Sequence, residues 1–143
     1  MRYDKFTTKL QEAIAEAQSL ALGHDHQQIE PQHLLLALLN QEDGGVVGLV
    51  GKAGGNTNSL KQNLLQSLKQ FPKVQGTPGE VHVSRDLGNL LNVADKDAQK
   101  RGDQYIASEL FVLACAADKG EIGKLLKASG ITKSSLEKAV EQL

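Results

Sequence analysis

The chain repeats itself. At an offset of 76 residues, Leu34 matches Leu110, Gly44 matches Gly120, Val46 matches Ile122, Leu49 matches Leu125 and Gly54 matches Gly130; the match runs on from Asn56 to Thr132, Leu60 to Leu136 and Leu64 to Val140. Caps and apolar positions are kept together, as expected of a duplicated four-helix unit. Earlier in each copy the offset is 79, pairing Gly23 with Gly102, which implies a shorter inter-helix loop in the second copy. Neither half is large enough to bury much core alone, so the copies are expected to pack around a pseudo-two-fold axis and share one core. Residues 1–143 therefore read as a single domain, with repeat one at about 6–70, a connector at about 71–83 and repeat two at about 84–143.

The spacing of apolar residues predicts an all-α fold of eight helices. Leu10, Ala13, Ile14, Ala17 and Ala21 recur at threes and fours, with Thr7 or Thr8 as caps and Gly23 as a stop, giving a first helix over about Thr8 to Leu22. Pro31 suits the first turn of a second helix, in which His33 to Leu39 is apolar enough to be nearly all buried. A short third helix runs through Val46, Val47, Leu49 and Val50. Asn56 caps a fourth, striped by Leu60, Leu64, Leu65 and Leu68. From Phe71 to Val83 periodicity lapses, and Pro72, Gly76, Pro78 and Gly79 set turns. Leu87, Leu91, Ala94 and Ala98 then line a fifth helix ending near Gly102, and Ser108 is the expected cap of a sixth through Leu110, Leu113, Ala114 and Ala117. Two more follow, about Glu121 to Ala128 and Thr132 to Leu143.

Composition narrows the function classes. With 40% hydrophobic residues and 16 basic against 17 acidic side chains, the chain is neither disordered nor a polybasic nucleic-acid binder. No apolar run approaches the roughly 20 residues that span a bilayer, and the start lacks the apolar segment of a secretory signal, so no membrane partner and a cytoplasmic location are expected. A single cysteine, Cys115, excludes an internal disulfide.

Motifs for chemistry fail when tested. Gly51-Lys52 follows a glycine-rich stretch, but Val46 stands where a phosphate loop needs its first glycine, and Ala53 replaces the Ser or Thr that would hold magnesium. His24, His26, His33 and His82 lack metal-site spacing; loop polarity and helix-end capping account for them. Cys115 sits among alanines on an apolar helix, where a thiol acts as a small hydrophobe. Asp95 and Asp97, or Glu12 and Glu16, resemble ordinary solvated helix faces. No catalytic residue, cofactor site or metal site is expected. What remains is a binding surface: a crevice at the seam between repeats, with exposed apolar residues rimmed by polar ones, suits weak recognition of extended peptides. Ile29 and Ile106 are expected to pin loops to the core, whereas Tyr105 is open to a surface role.

Phe6-Thr7, Gln18-Ser19-Leu20-Ala21, Gly23-His24-Asp25-His26, Ile29-Glu30-Pro31 and His33 to Leu39 closely resemble the amino-terminal domain of Clp-family AAA+ chaperones. Arg101-Gly102-Asp103, Ser108 to Ala114 and Gly120 extend the likeness over nearly the whole chain. The resemblance implies an eight-helix module of two Clp repeats, tethered before an ATPase ring, that recognises exposed hydrophobic segments of unfolded or aggregated proteins and has no catalysis of its own. It further implies that ATP and magnesium belong to AAA+ domains outside this sequence. The isolated domain would be a monomer, the parent a homohexamer working with the DnaK-DnaJ-GrpE system in disaggregation under heat stress. The related ClpA and ClpC domains offer the alternative of an adaptor-docking module, and a structural modulator of the ring is a third reading.

Carried over residue by residue, the resemblance assigns Thr7, Asp103 and Glu109 as polar substrate contacts and Val93, Asp97 and Leu110 to a shallow groove. The family position matching Asp97 tends to be apolar, so a carboxylate there is expected to shrink the sticky patch.

Overall fold

The computed structural model describes residues 3–74 and 80–143. After a 3-10 turn at Tyr3–Lys5 come α1 (Thr8–Gly23), β1 (Gln28–Ile29), α2 (Pro31–Leu39), α3 (Val46–Lys52), α4 (Thr57–Leu68), β2 (His82–Val83), α5 (Arg85–Arg101), α6 (Ser108–Ala117), α7 (Glu121–Ala128) and α8 (Lys133–Glu141). The eight helices form two four-helix repeats. Each begins on a side-chain cap: the Thr7 hydroxyl accepts from the Leu10 N–H at 3.3 Å, and the Ser84 hydroxyl from the Leu87 N–H at 3.1 Å. The fourth helix of each repeat is capped the same way, by Asn56 and by Thr132.

The repeats are joined by exchange rather than by simple stacking. β1 of repeat one pairs in parallel with β2 at the entry to repeat two, Ile29 opposite Val83, while Phe6 at the entry to repeat one bridges Ile106 of repeat two. The hydrogen bonds obey the pseudo-symmetry: the Thr7 N–H donates to the Ile106 carbonyl and the Ser84 N–H to the Ile29 carbonyl, both at 3.0 Å. Helix contacts follow suit, α3 touching α8 while α4 touches α7. The α3–α4 and α7–α8 turns meet near the axis, where Gly54 and Gly130 both have positive φ (83° and 89°). A Cβ on Gly130 would lie 3.2 Å from the Gly54 carbonyl oxygen, so glycine serves both the turn and the close approach. One continuous core of aliphatic side chains, with Phe6 and Phe111, runs through both repeats.

Several local expectations need correction. Gly23 ends α1 in the helix, and the left-handed residue is Asp25 (φ 59°), reached through His24. Ser108 is the first helical residue of α6, not its cap; Ala107 is the cap, because Ile106 is held extended by its bonds to Lys5 and Thr7. The Ser108 hydroxyl is left buried with no hydrogen-bond partner among the described residues. The caps Thr7 and Ser84, like Glu30 and Ala107, are 77 residues apart, so the first two helix pairs are related by 77 rather than the expected 79, and Leu34 corresponds to Phe111 rather than Leu110. The 76-residue register holds for the buried pairs Val46 and Ile122 and Val50 and Leu126, and for the caps Asn56 and Thr132. The parallel strands leave no sign in the sequence, since two-residue strands have no periodicity. Of the expected connector turns, Gly76, Pro78 and Gly79 lie outside the described residues.

Candidate functional site

The amphipathic helix α5 buries Leu87, Leu90, Leu91, Ala94 and Ala98 and turns Val93 and Asp97 outward. Its neighbour α6 buries Leu110 to Cys115 in an unbroken run, because both sides of that helix are covered. Between them lies a hollow of about 400 Å³ with Leu110, Leu113, Ala114 and Ala117 as its apolar walls. Lys96, Lys100 and Lys133 rim it together with Asp97 and Glu137. Val93, 49% exposed, lines this hollow and also the next, which is lined by Glu30, Pro31, Phe71, Leu90 and Ile122 among others. An apolar strip thus continues along α5 past Val93.

The structure brings Val93, Asp97 and Leu110 together as the groove requires, but in unequal roles. Leu110 is only 2% exposed and forms the floor; Val93 is the accessible apolar contact. Asp97 is tied by its Oδ1 to Arg101 Nε at 2.9 Å, and this ion pair, aided by Asp103, raises the Arg101 pKa above its ordinary value. The carboxylate is therefore partly neutralised rather than presented bare to the groove.

Thr7 and Glu109 belong to a separate hollow of about 250 Å³, with Lys9, Gln41, Val46, Leu49, Ser108 and Leu143. There the Thr7 hydroxyl is already engaged as the cap of α1. Asp103 and Tyr105 are exposed in the α5–α6 loop and line neither hollow; the Asp103 N–H closes the helix end on the Ala98 carbonyl at 2.9 Å. Tyr105 is 50% exposed, while Ile29 and Ile106 are buried as loop pins.

The segment tested as a phosphate loop is helix α3 and its ends. Cys115 is fully buried, and burial pushes its thiol well above the ordinary range, so it is a poor nucleophile. Among the described residues no group of three or more His, Cys, Asp or Glu side chains could hold a metal ion, and no helix is long and apolar enough to cross a membrane.

What sequence reading missed is that three histidines meet. His26 Nδ1 lies 2.9 Å from His33 Nε2, the His24 ring stacks on His26 at 5.5 Å, and Phe71 covers both His26 and His33. Only the turn made by Asp25 folds His26 back onto α2, and nothing in the spacing announces it.

The family model described as the Clp repeat (R) N-terminal domain matches residues 5–129. The chain belongs to this family. Relatives of this Clp N domain include the chaperone protein ClpB of Pseudomonas putida, 49% identical over all 143 residues. The chain spans 17% of that relative's length. Among solved structures, the Hsp104 N-terminal domain from Candida albicans superposes with a TM-score of 0.83 at 25% identity, covering 96% of this chain and 91% of that one. A ClpV N-domain solved in complex with a VipB peptide has the same fold, with a TM-score of 0.75, 20% identity and coverage of 96% and 85%.

Proposed function

We propose that this Clp N domain binds exposed apolar segments of unfolded or aggregated polypeptides in the α5–α6 hollow and helps transfer them to the ATPase ring of a parent disaggregase. The observation that carries the reading is the apolar floor of Leu110, Leu113, Ala114 and Ala117 beside exposed Val93, rimmed by charged groups of both signs. Such a surface takes apolar side chains and leaves the flanking backbone solvated, which gives weak, sequence-tolerant binding. That a ClpV N-domain of the same fold was solved in complex with a VipB peptide supports the reading. In this reading ATP and magnesium act only in the parent's AAA+ domains, the parent works as a cytoplasmic hexamer with the DnaK system, and several linked copies raise the effective concentration of weak sites.

Binding of a fluorescent unfolded polypeptide to the isolated domain tests it. Val93→Glu places a charge on the accessible apolar contact and is expected to weaken binding about tenfold, the equivalent of roughly 1.4 kcal/mol, while leaving thermal unfolding unchanged. Asp97→Leu enlarges the strip and is expected to strengthen binding about threefold. Unaltered affinity in both variants rejects the hollow as the site. A tight stoichiometric complex with one folded partner, without binding of unfolded chains, would mark an adaptor-docking module instead.

A further inference from the structure

The buried histidines are linked in a chain with only one consistent proton arrangement. The Glu30 N–H donates to His33 Nδ1 at 2.8 Å, so that nitrogen is an acceptor and the ring hydrogen of neutral His33 sits on Nε2. His33 Nε2–H then donates to His26 Nδ1 at 2.9 Å, which places the His26 hydrogen on Nε2. That last N–H is buried and makes no full hydrogen bond among the described residues, the Leu68 carbonyl acting on it only weakly. Every ring acceptor is used, so a proton can add only by breaking the Glu30–His33 bond that caps α2 or the His33–His26 bond that holds the loop after α1.

This cluster closes onto the segment leading out of repeat one. Phe71 packs over both rings, and the Val74 N–H donates to the Asp25 carbonyl at 2.9 Å. The His26 N–H in turn is held by the Ala21 carbonyl at 2.9 Å. We infer that His26 and His33 form a proton-sensitive latch, closed while both rings are neutral, that fastens residues 71–74 to the loop between α1 and β1.

The surrounding charges favour the closed, neutral state. From the loop after α1, His24 and Asp25 face His26 with opposing effects, and Lys73 in the segment after α4 disfavours a second positive charge. At the start of α2, the cap residue Glu30 has its carboxyl engaged by Ser84. Burial, then His26 and His24, holds His33 down to about 4, and burial lowers His26 as well. A base whose folded pKa lies below its open-state value contributes stability above the open-state pKa, near 6.5, and loses it as pH falls toward the folded value. With an open-state pKa of about 6.5, His33 alone makes opening about twentyfold more frequent at pH 5 than at pH 7.

Hydrogen exchange of the isolated domain reads this directly. Protection of the His26 and Val74 amides, corrected for intrinsic exchange, is expected to fall about twentyfold or more from pH 7 to pH 5, while amides of α6 keep theirs. The double variant His26→Phe with His33→Gln removes both titrating rings and is expected to abolish that pH dependence. If that variant does not fold, ¹⁵N spectra of the wild-type rings decide. Both rings as Nε2–H tautomers at pH 7, charging only well below pH 6.5, support the latch. Rings already charged at pH 6.5, or protection at His26 and Val74 that does not change with pH, overturn it.

Discussion

Phe111→Ala is expected to destabilise the domain by about 3–5 kcal/mol, a large share of the 5–15 kcal/mol that holds a typical domain together. Phe111 is the largest of the fully buried side chains, at the place in repeat two that Leu34 holds in repeat one. Trimming it to Ala removes the ring's transfer energy and leaves a cavity that the helices around α6 cannot close without moving. Because the entry strands are exchanged between repeats, Thr7 to Ile106 and Ser84 to Ile29, loss of packing in repeat two is transmitted to repeat one. Urea unfolding followed by circular dichroism should therefore show one transition at lower denaturant. Two separated transitions, with repeat one unaffected, would contradict the shared core.

The second large effect comes from one glycine, and its sister helix supplies the control. A Cβ on Gly123 in α7 would sit 1.9 Å from the Asp118 carbonyl oxygen, a backbone atom that cannot step aside. Gly123→Ala is expected to cost about 3 kcal/mol, since the clash outweighs the roughly 1 kcal/mol that alanine gains in helix propensity. In α3, a Cβ on Gly48 meets nothing within 4 Å, so Gly48→Ala is expected to stabilise by about 0.5–1 kcal/mol. The same substitution thus acts in opposite directions in corresponding helices, and paired thermal melts would show it. Equal effects at both positions would mean that α7 does not pack on the Asp118 carbonyl as described.

The helices were legible because burial leaves a period in the sequence. Leu87, Leu91, Ala94 and Ala98 point to α5, and Asn56 and Thr132 point to the starts of α4 and α8. The junctions were not legible in this way. Ser108 has the chemistry of a cap, but the bridge between Phe6 and Ile106 extends the backbone to Ala107 and displaces it; a contact across some 100 residues of sequence leaves no local trace. The first two helix pairs keep a 77-residue register, from the caps Thr7 and Ser84 through Glu30 and Ala107, which is why the 76-residue match paired Leu34 with Leu110.

The site was legible to a different degree. Val93, Asp97 and Leu110 share a hollow because α5 and α6 are neighbours within one repeat, a placement the resemblance carries. Sequence could not rank them: Leu110 lies on a helix apolar all round, where burial depends on what covers each side. Nor could it separate Thr7 and Glu109 into a second hollow, or show Arg101 reaching back to Asp97. The histidine latch depends on Asp25, the one non-glycine residue with positive φ among the described residues, and an isolated backbone reversal of that kind is not encoded by spacing.

The most direct test of the peptide-binding account is amide chemical-shift mapping of the isotopically labelled domain titrated with a permanently unfolded polypeptide. The account predicts saturable shifts confined to the α5–α6 hollow, at Val93, Asp97, Lys100, Leu113 and Ala117, and their loss in Val93→Glu. Shifts that cluster elsewhere, for example around Lys9, Gln41 and Val46, with the α5–α6 hollow unmoved, would contradict it.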